Sequence, residues 1–166
     1  SRLHLGMTPA AARARTLELM TQLRIPEAAA VAEAYPHQLS GGMKQRIVIA
    51  MALAGDPDLI VADEPTTALD VTVQAQILQI LAGLVRDRGL ALLLITHDMG
   101  VVAQLCDRVA VLYAGRLAEE RAVAPIFAAP AHPYTRALTL CIPREGMARG
   151  TLHGIPGAVP SAVDYP

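Results

Sequence analysis

The chain has few aromatic residues, a single lysine and no long apolar run. Its 166 residues include four Tyr, one Phe and no Trp, and Lys44 is the one lysine. Lysine and arginine together number 14 against 15 acidic residues, so the net charge is −1. Proteins that bind nucleic acid present an excess of cations to the phosphates and aromatic rings to the bases. The composition therefore argues against nucleic acid as the main partner.

The sequence also shows no membrane-spanning or secretory segment. The longest apolar runs, residues 47–54 and 90–95, fall short of the roughly 20 residues that cross a bilayer. The first residues carry no initiator Met and no apolar stretch after their arginines, so they do not resemble a signal peptide, and we expect Ser1 to be an internal edge of a longer sequence. Cys106 and Cys141 lie far apart among apolar neighbours, which favours buried thiols over a disulfide.

What the sequence does contain is ample apolar material, 53% of the chain, arranged as helices first and then alternating strands and helices. Thr8 followed by Pro9 predicts a helix start, in a helical region over 8–38. Ser40 opens a further helix that ends before Gly55. We expect strands at 59–62, 90–96, 107–113 and 116–120, a helix over 71–88, and a hairpin made of the last two strands. This order predicts an α/β domain whose mainly parallel sheet is buried on both faces.

The C-terminal part departs from this alternation. Short helices are expected near Ile126 and over 134–141, followed by a tail, HGIPGAVPSAVDYP, that is too rich in Pro and Gly for regular structure. We therefore expect three segments: the end of a helical subdomain, a core with the chemistry-bearing motifs, and a C-terminal extension, at residues 1–38, 39–121 and 122–166.

Two adjacent carboxylates, Asp63 and Glu64, follow the first predicted strand. The carboxyl ends of strands are where open α/β sheets bind ligands. One carboxylate can hold a hydrated Mg²⁺ while the next orients a water for attack on phosphorus. The alternative is an acidic turn that caps the following helix.

A serine and two glycines, Ser40, Gly41 and Gly42, stand at the opening of a predicted helix. Free backbone N–H groups and the helix dipole favour an anion there, so this segment is a candidate phosphate cradle. An ordinary helix start is the alternative. Glycines in a first turn cost helix stability, and a close approach to another group would offset that cost.

Two further polar residues follow predicted elements. His97 comes after the second strand, which favours a contact with the γ-phosphate over a purely structural histidine. Asp70 precedes the helix at 71–88 and is expected to be its N-cap. A nucleotide-binding role for Asp70 is compatible with capping.

The segments LSGGMKQR, LIVADEPTTALD and LLITHD, in this order and spacing, resemble the ATP-hydrolysing subunit of ABC transporters. The resemblance covers nearly the whole chain. It implies a P-loop NTPase-like nucleotide-binding domain, here partial, that binds ATP and Mg²⁺. Residues 39–45 match the signature motif, Asp63 and Glu64 close the Walker B strand, and residues 68–70 match the D-loop. The family pattern makes His97 the switch histidine.

By the same resemblance, two copies of the nucleotide-binding domain pair head to tail around ATP. The signature residues of one copy close over the nucleotide held by the other; here they are Ser40, Gly41, Gly42 and Gln45. Asp70 links the two sites across the interface.

The resemblance also assigns the catalytic roles. Asp63 would hold Mg²⁺ through water, Glu64 would polarise the attacking water, and His97 would contact the γ-phosphate. Both Glu64 and His97 are therefore predicted catalytic residues.

The segments YPHQLSGGMKQR, HPYTRAL and GIPGAVP are similar to the ATPases of dipeptide and oligopeptide importers, a group that also contains nickel and glutathione importers. This implies peripheral attachment at the cytoplasmic face of the plasma (inner) membrane. The implied partners are a second ATPase subunit, transmembrane permease subunits and, indirectly, a substrate-binding protein.

One family element is missing from these 166 residues. A P-loop reads G-x-x-x-x-G-K-[ST], yet Lys44 lies inside the signature and is followed by Gln45. We therefore expect that this chain alone does not hydrolyse ATP. A non-catalytic interaction module and a soluble ABC ATPase of DNA repair or translation are the alternative functions.

Overall fold

The computed structural model describes residues 5–142, 146–147 and 154–155. The described helices are α1 (Pro9–Gln22), α2 (Ala28–Val31), α3 (Gly41–Leu53), α4 (Val71–Arg88), α5 (Met99–Leu105), α6 (Val123–Ala128) and α7 (Pro133–Leu140), with a 3-10 turn at Pro36–Gln38. The strands are β1 (Leu59–Asp63), β2 (Ala91–Ile95), β3 (Arg108–Tyr113) and β4 (Arg116–Ala122). None of the helices within the described ranges has both the length and the apolar character needed to cross a bilayer.

The chain divides into two compact units between Ile95 and Thr96. The first unit contains α1 to α4 and the strands β1 and β2. Its helix starts follow the sequence: the Thr8 hydroxyl accepts a hydrogen bond from the amide of Ala11 at 3.3 Å, with proline at the first helical position. Helix α4 ends at Gly89, which adopts the left-handed conformation that glycine allows. The fully buried core side chains of this unit are Leu19, Leu23, Leu53, Ile77 and Leu81.

Strands β1 and β2 form a parallel pair, with Leu59 opposite Ala91 and Asp63 opposite Ile95. One face of the pair is covered, and Ile60 and Ala62 are buried there. The opposite face leaves about half of each large apolar side chain accessible, namely Leu59, Val61, Leu93 and Ile95. The expectation of a sheet buried on both faces is therefore met on one face only within the described residues.

Helix α3 leaves part of its apolar surface exposed. Ile49, Ala50 and Leu53 are buried, whereas Val48 and Met51 are exposed. The helix is apolar over most of its circumference, so its sequence does not define which side faces the core.

The second unit contains α5, the hairpin β3–β4, α6 and α7. The hairpin is antiparallel as expected and turns at Gly115, with an irregularity between Val111 and Leu112. It forms a two-stranded sheet of its own in the described residues. Burial and the neighbouring Asp107 carboxylate raise the pKa of the half-buried Cys106 thiol. Apart from Gly154 and Ile155, the predicted Pro- and Gly-rich tail lies outside the described residues.

A buried carboxylate, Glu119 of β4, joins the hairpin to the segment before α7. Its two oxygens accept hydrogen bonds from the amides of Ala131 at 3.0 Å and His132 at 2.9 Å. These two amides, with further help from Thr135 and Arg121, lower the pKa of Glu119. The adjoining His132 caps α7, because its Nδ1 accepts a hydrogen bond from the amide of Tyr134 at 3.1 Å. Glu119 therefore fastens the start of α7 to the sheet.

The link between β1 and α4 is conformationally strained. Glu64 and Ala68 both adopt positive φ angles, +43° and +61°, in the left-handed region that is unfavourable for residues with a Cβ. Such backbone outliers cluster at functional sites, where the surrounding structure holds them in place.

The strain at Ala68 predicts that Ala68→Gly raises the free energy of unfolding by about 1 kcal/mol, because glycine adopts positive φ without the Cβ clash. The matched control is Ala75→Gly in the regular part of α4, which should lower the free energy of unfolding by about 1 kcal/mol. Urea denaturation of both variants measures the two effects. Equal destabilisation by both would contradict the strained conformation at residue 68.

The lowered pKa of Glu119 predicts a pH-dependent contribution to stability. A carboxylate whose pKa is lower in the folded state stabilises the fold above its unfolded pKa of about 4.3, and that stabilisation is lost as the pH falls through the folded pKa. Glu119→Gln replaces one acceptor oxygen by an amide that cannot accept from a backbone N–H. The variant should therefore melt at a lower temperature than the unaltered protein at pH 7.

The difference in melting temperature should shrink as the pH falls below the unfolded pKa of about 4.3 and through the lowered folded pKa, where Glu119 itself becomes protonated. Glu120→Gln is the control, since Glu120 is exposed and makes a surface ion pair with Arg108, a kind of pair worth less than about 1 kcal/mol. A pH-independent difference for Glu119→Gln would show that the carboxylate charge is not what holds this joint.

Candidate functional site

The predicted carboxylates lie at the carboxyl edge of the parallel pair. Asp63 is the last residue of β1 and is paired with Ile95, the last residue of β2. The amide of Glu64 donates a hydrogen bond to the carbonyl oxygen of Ile95 at 2.9 Å. Both acidic residues are exposed, so their carboxylates are open to a ligand at this edge of the sheet.

The Glu64 side chain is held by the turn that follows it. Its Oε2 accepts a hydrogen bond from the Thr67 hydroxyl at 2.8 Å, and its carbonyl oxygen accepts one from the Thr67 amide at 3.2 Å. Together with the bond to Ile95, these contacts fix both the backbone and the carboxylate of Glu64. The alternative interpretation, an acidic turn that caps the next helix, does not apply to Glu64, because Asp70 is the cap of α4.

Ser40 opens α3, as the sequence predicts. Its side chain accepts a hydrogen bond from the amide of Met43 at 3.3 Å. The amides of Gly41 and Gly42 occupy the first two helical positions, where no acceptor within the helix is available, and Gln45 is half-buried one turn along. Exposed Ser40 and these amides form a start of the kind that accepts an anion.

The two glycines have a packing role that the sequence did not identify. A methyl group added at Gly42 would lie 2.6 Å from Cγ1 of Val73, and one added at Gly41 would lie 3.4 Å from Cδ2 of Leu69. The close approach that offsets the cost of glycine in a first turn, roughly 1 kcal/mol per residue, is therefore a contact with α4 and the loop before it.

Asp70 is the N-cap of α4, as predicted: its Oδ1 accepts a hydrogen bond from the amide of Val73 at 2.9 Å. The structure thus brings the predicted residues Ser40, Gly41 and Gly42 beside the segment that begins with Leu69 and Asp70. The predicted site residues of the first unit therefore form two groups. One group is at the starts of α3 and α4, and the other is the pair of carboxylates at the end of β1.

His97 belongs to the second unit, where it is exposed between the end of β2 and the start of α5. Its neighbour Asp98 caps α5, with Oδ1 accepting from the amides of Gly100 at 2.8 Å and Val101 at 3.2 Å. The Asp98 amide in turn donates to the Thr96 hydroxyl at 3.0 Å. These bonds define the backbone on both sides of His97, and its predicted contact with a phosphate stays a prediction.

Arg46 is a structurally important residue that the sequence analysis did not identify. Its guanidinium donates to the carbonyl oxygens of Leu23 at 3.0 Å and Arg24 at 2.9 Å, and to Oε1 of Gln76 at 2.6 Å. It therefore ties the end of α1 to both α3 and α4. Arg46 directly follows Lys44 and Gln45 in the sequence, so its residue type gave no signal for these long-range bonds.

The donor set for Mg²⁺ is small. The described residues contain no cluster of three His, Cys, Asp or Glu side chains suited to a metal ion. Mg²⁺ in phosphoryl-transfer sites commonly keeps several waters and takes one or two carboxylates plus phosphate oxygens. The single exposed carboxylate of Asp63 fits that mode and would leave the remaining ligands to water and nucleotide.

Asp63 and Glu64 are exposed at the carboxyl edge of the sheet. A cavity of about 150 Å³ lies at the other end of the strands, where its lining includes Pro57, Asp58 and Leu90. This cavity is therefore separate from the candidate site.

Comparison with known proteins agrees with this geometry. Residues 3–67 match the family model described as "ABC transporter", and residues 118–166 match the one described as "Oligopeptide/dipeptide transporter, C-terminal region". The glutathione import ATP-binding protein GsiA of Pectobacterium atrosepticum is 56% identical over 90% of this chain and 24% of its own length. The oligopeptide transport ATP-binding protein OppD of Lactococcus lactis is 52% identical over 89% of this chain and 44% of its own length.

A solved ATP-binding cassette, determined as a dimer in a post-hydrolysis state with ADP and Pi, superposes with a TM-score of 0.62. It is 36% identical and is matched over 70% of this chain and 49% of its own. The chain thus spans from about a quarter to half of the proteins it matches. The α/β fold of an ABC nucleotide-binding domain is thereby established for the part described. The chain therefore contains part of an ABC transporter ATPase domain, followed by the C-terminal region of the oligopeptide and dipeptide transporter type, and it is a homologue of ATP-binding subunits of peptide importers.

Proposed function

We propose that this chain supplies the signature and Walker B part of an ATP-hydrolysing subunit that powers the import of peptides. The observation that carries the proposal is the fixed position of Glu64 at the carboxyl edge of the parallel pair, where its amide and carboxylate are both held. The family membership supports ATP as the nucleotide.

The nucleotide is bound between two subunits that face each other head to tail. Ser40 and the amides of Gly41 and Gly42 cover the γ-phosphate held by the opposite subunit, with Gln45 one turn behind them and Asp70 spanning the interface. The exposure of Ser40, Gly41 and Asp70 and the dimeric state of the matched cassette support this arrangement. Closure removes water from the phosphates and so strengthens each charge–dipole contact there.

Glu64 is the catalytic carboxylate in this proposal. It accepts a hydrogen bond from the attacking water and turns its oxygen toward the γ-phosphorus, while His97 donates a hydrogen bond to the γ-phosphate. Asp63 would hold Mg²⁺ through water, and the bound ion would supply neutralisation of the charge on the phosphate oxygens. The exposed carboxylates at the strand end support these roles.

The face of the parallel pair that the described residues leave exposed supports the view that further polypeptide completes the domain. Parallel sheets occur with both faces covered, yet Val61 and Leu93 are 57% and 53% exposed. We assign residues 1–38 to the end of the helical subdomain, 39–121 to the ATPase core and 122–166 to a C-terminal extension. Residues 1–166 contain no G-x-x-x-x-G-K-[ST] sequence, so in this proposal polypeptide outside these residues carries the phosphate loop.

Transport of peptides is supported by the match of residues 118–166 and by relatives whose names specify oligopeptide or glutathione import. The partners are a second ATPase subunit, transmembrane permease subunits and, through these, a substrate-binding protein. The chain then works at the cytoplasmic face of the inner membrane as a peripheral subunit.

The role of Glu64 predicts that Glu64→Gln in the full-length subunit lowers ATP turnover by about 10² to 10⁴-fold, the usual contribution of a general base. ATP binding should be retained, because the amide keeps the size of the side chain, and the closed dimer should accumulate. Phosphate release and size-exclusion chromatography with Mg²⁺-ATP measure the two effects.

Glu33→Gln is the matched control, since Glu33 is an exposed acid whose carboxylate pairs with Arg13. Its turnover should equal that of the unaltered subunit. Undiminished turnover in Glu64→Gln would assign the base to another residue.

The missing phosphate loop predicts that residues 1–166, prepared alone, do not hydrolyse ATP. Without the lysine and amides of that loop, the β- and γ-phosphates lose most of the positioning and charge stabilisation that this reaction requires. The measurement is phosphate release at millimolar Mg²⁺-ATP, with Glu64→Gln as background. Saturable release that depends on Glu64 would overturn the prediction.

A further inference from the structure

Two helix starts in the first unit meet at a contact that leaves no space for a side chain. Helix α3 begins with Gly41 and Gly42, and the first turn of α4 contains Val73. A Cβ built on Gly42 would lie 2.6 Å from Cγ1 of Val73 and 3.5 Å from its Cγ2. Non-bonded carbon atoms prefer separations of about 3.5–4.0 Å, so only glycine fits at position 42 with this neighbour in place.

The neighbour cannot easily move aside. Valine is branched at Cβ, and in a helix one χ1 rotamer is strongly preferred. The contact with Leu69 at Gly41 is different, because the added methyl would meet the far end of a flexible side chain at 3.4 Å. The rigid part of the interface is therefore the pair Gly42 and Val73.

The same pair is bonded directly to a predicted nucleotide contact. The amide of Val73 donates to Oδ1 of Asp70 at 2.9 Å, so a shift of Val73 also shifts the residue that caps α4. On the facing helix, Ser40 caps α3 through the amide of Met43, the residue that follows Gly42. The side-chain contact thus joins the two caps through short, defined links.

A second contact between these helices lies one turn further along. Arg46, four residues after Gly42, donates to Oε1 of Gln76, three residues after Val73. The helices are therefore joined at two successive turns, once by close packing and once by a hydrogen bond. Two such contacts resist both sliding and rotation of α3 against α4.

We propose that Val73 is a positioning residue that sets the distance between Ser40 and Asp70 by packing against Gly42. The two residues then approach the nucleotide of the facing subunit as one rigid body. This inference rests on the proposed function only in the assignment of Ser40 and Asp70 to the shared nucleotide site. It gives Gly42 a steric role in addition to its backbone amide.

The test is a double-mutant cycle in the full-length subunit with Gly42→Ala, Val73→Ala and both together. Gly42→Ala should lower kcat for ATP by about 100-fold, the scale of a 1 Å misplacement, and should also lower the melting temperature. The KM for ATP should stay within about threefold, because the proposed phosphate loop that holds the nucleotide is unaltered. Val73→Ala alone should lower kcat only about threefold, since the caps remain but are less tightly spaced.

Removing the γ-methyl groups of Val73 creates the space that the methyl group added by Gly42→Ala needs. The kcat of the double variant should therefore lie within about threefold of that of Val73→Ala, and its melting temperature should return to that of Val73→Ala. Gly83→Ala in α4 is the control, because its added methyl would meet Oδ2 of Asp87 at an ordinary 3.7 Å. That variant should keep full turnover and the same or a higher melting temperature.

The outcomes separate this inference from the proposed function. Gly42→Ala could lose turnover without a change in its melting temperature, and adding Val73→Ala could fail to restore that turnover. This result would show that the glycine acts on the nucleotide alone and would overturn the inference. Full turnover in Gly42→Ala would overturn it as well. An unaltered full-length subunit without ATPase activity would contradict the proposed function, while recovery of the melting temperature in the double variant would still support the contact.

Discussion

The close contact between Gly42 and Val73 constrains how the N-termini of α3 and α4 are placed relative to each other in the first unit. It brings α3 and α4 together at the turns where each helix exposes its amides. Ser40 and Asp70 can cap their helices independently, and this contact, together with the Arg46–Gln76 hydrogen bond one turn along, relates one cap to the other. A protein that must offer two separate groups to one ligand gains from such a link, because ligand binding then orders fewer independent parts.

Strain and packing have complementary roles in the same loop. Glu64 and Ala68 hold unfavourable left-handed conformations, which cost on the order of 1–3 kcal/mol each. The bonds to Ile95 and Thr67, together with the cap at Asp70, keep the loop in this shape. The result is a carboxylate whose position is set before any ligand arrives, as preorganised catalysis requires.

Local features were predictable from the sequence, and long-range contacts were not. The bounds of α4, the caps at Thr8 and Asp70 and the hairpin follow from residue types over a few positions. The motifs identified the family for the same reason. The contact of Gly42 with Val73 joins residues 31 positions apart, and the hydrogen bonds of Arg46 and Glu119 also depend on the folded chain. The exposed face of β1 and β2 was mispredicted because an apolar strand does not say what covers it.

The most direct test of the account is a structure of the full-length subunit with Mg²⁺ and a non-hydrolysable ATP analogue. The account predicts a head-to-tail dimer in which the amides of Gly41 and Gly42 from one subunit donate to the γ-phosphate held by the other. The carboxylate of Glu64 should face the γ-phosphorus, and Val73 should still pack on Gly42. A nucleotide bound away from Ser40, or α3 and α4 separated at this contact in the closed dimer, would contradict it.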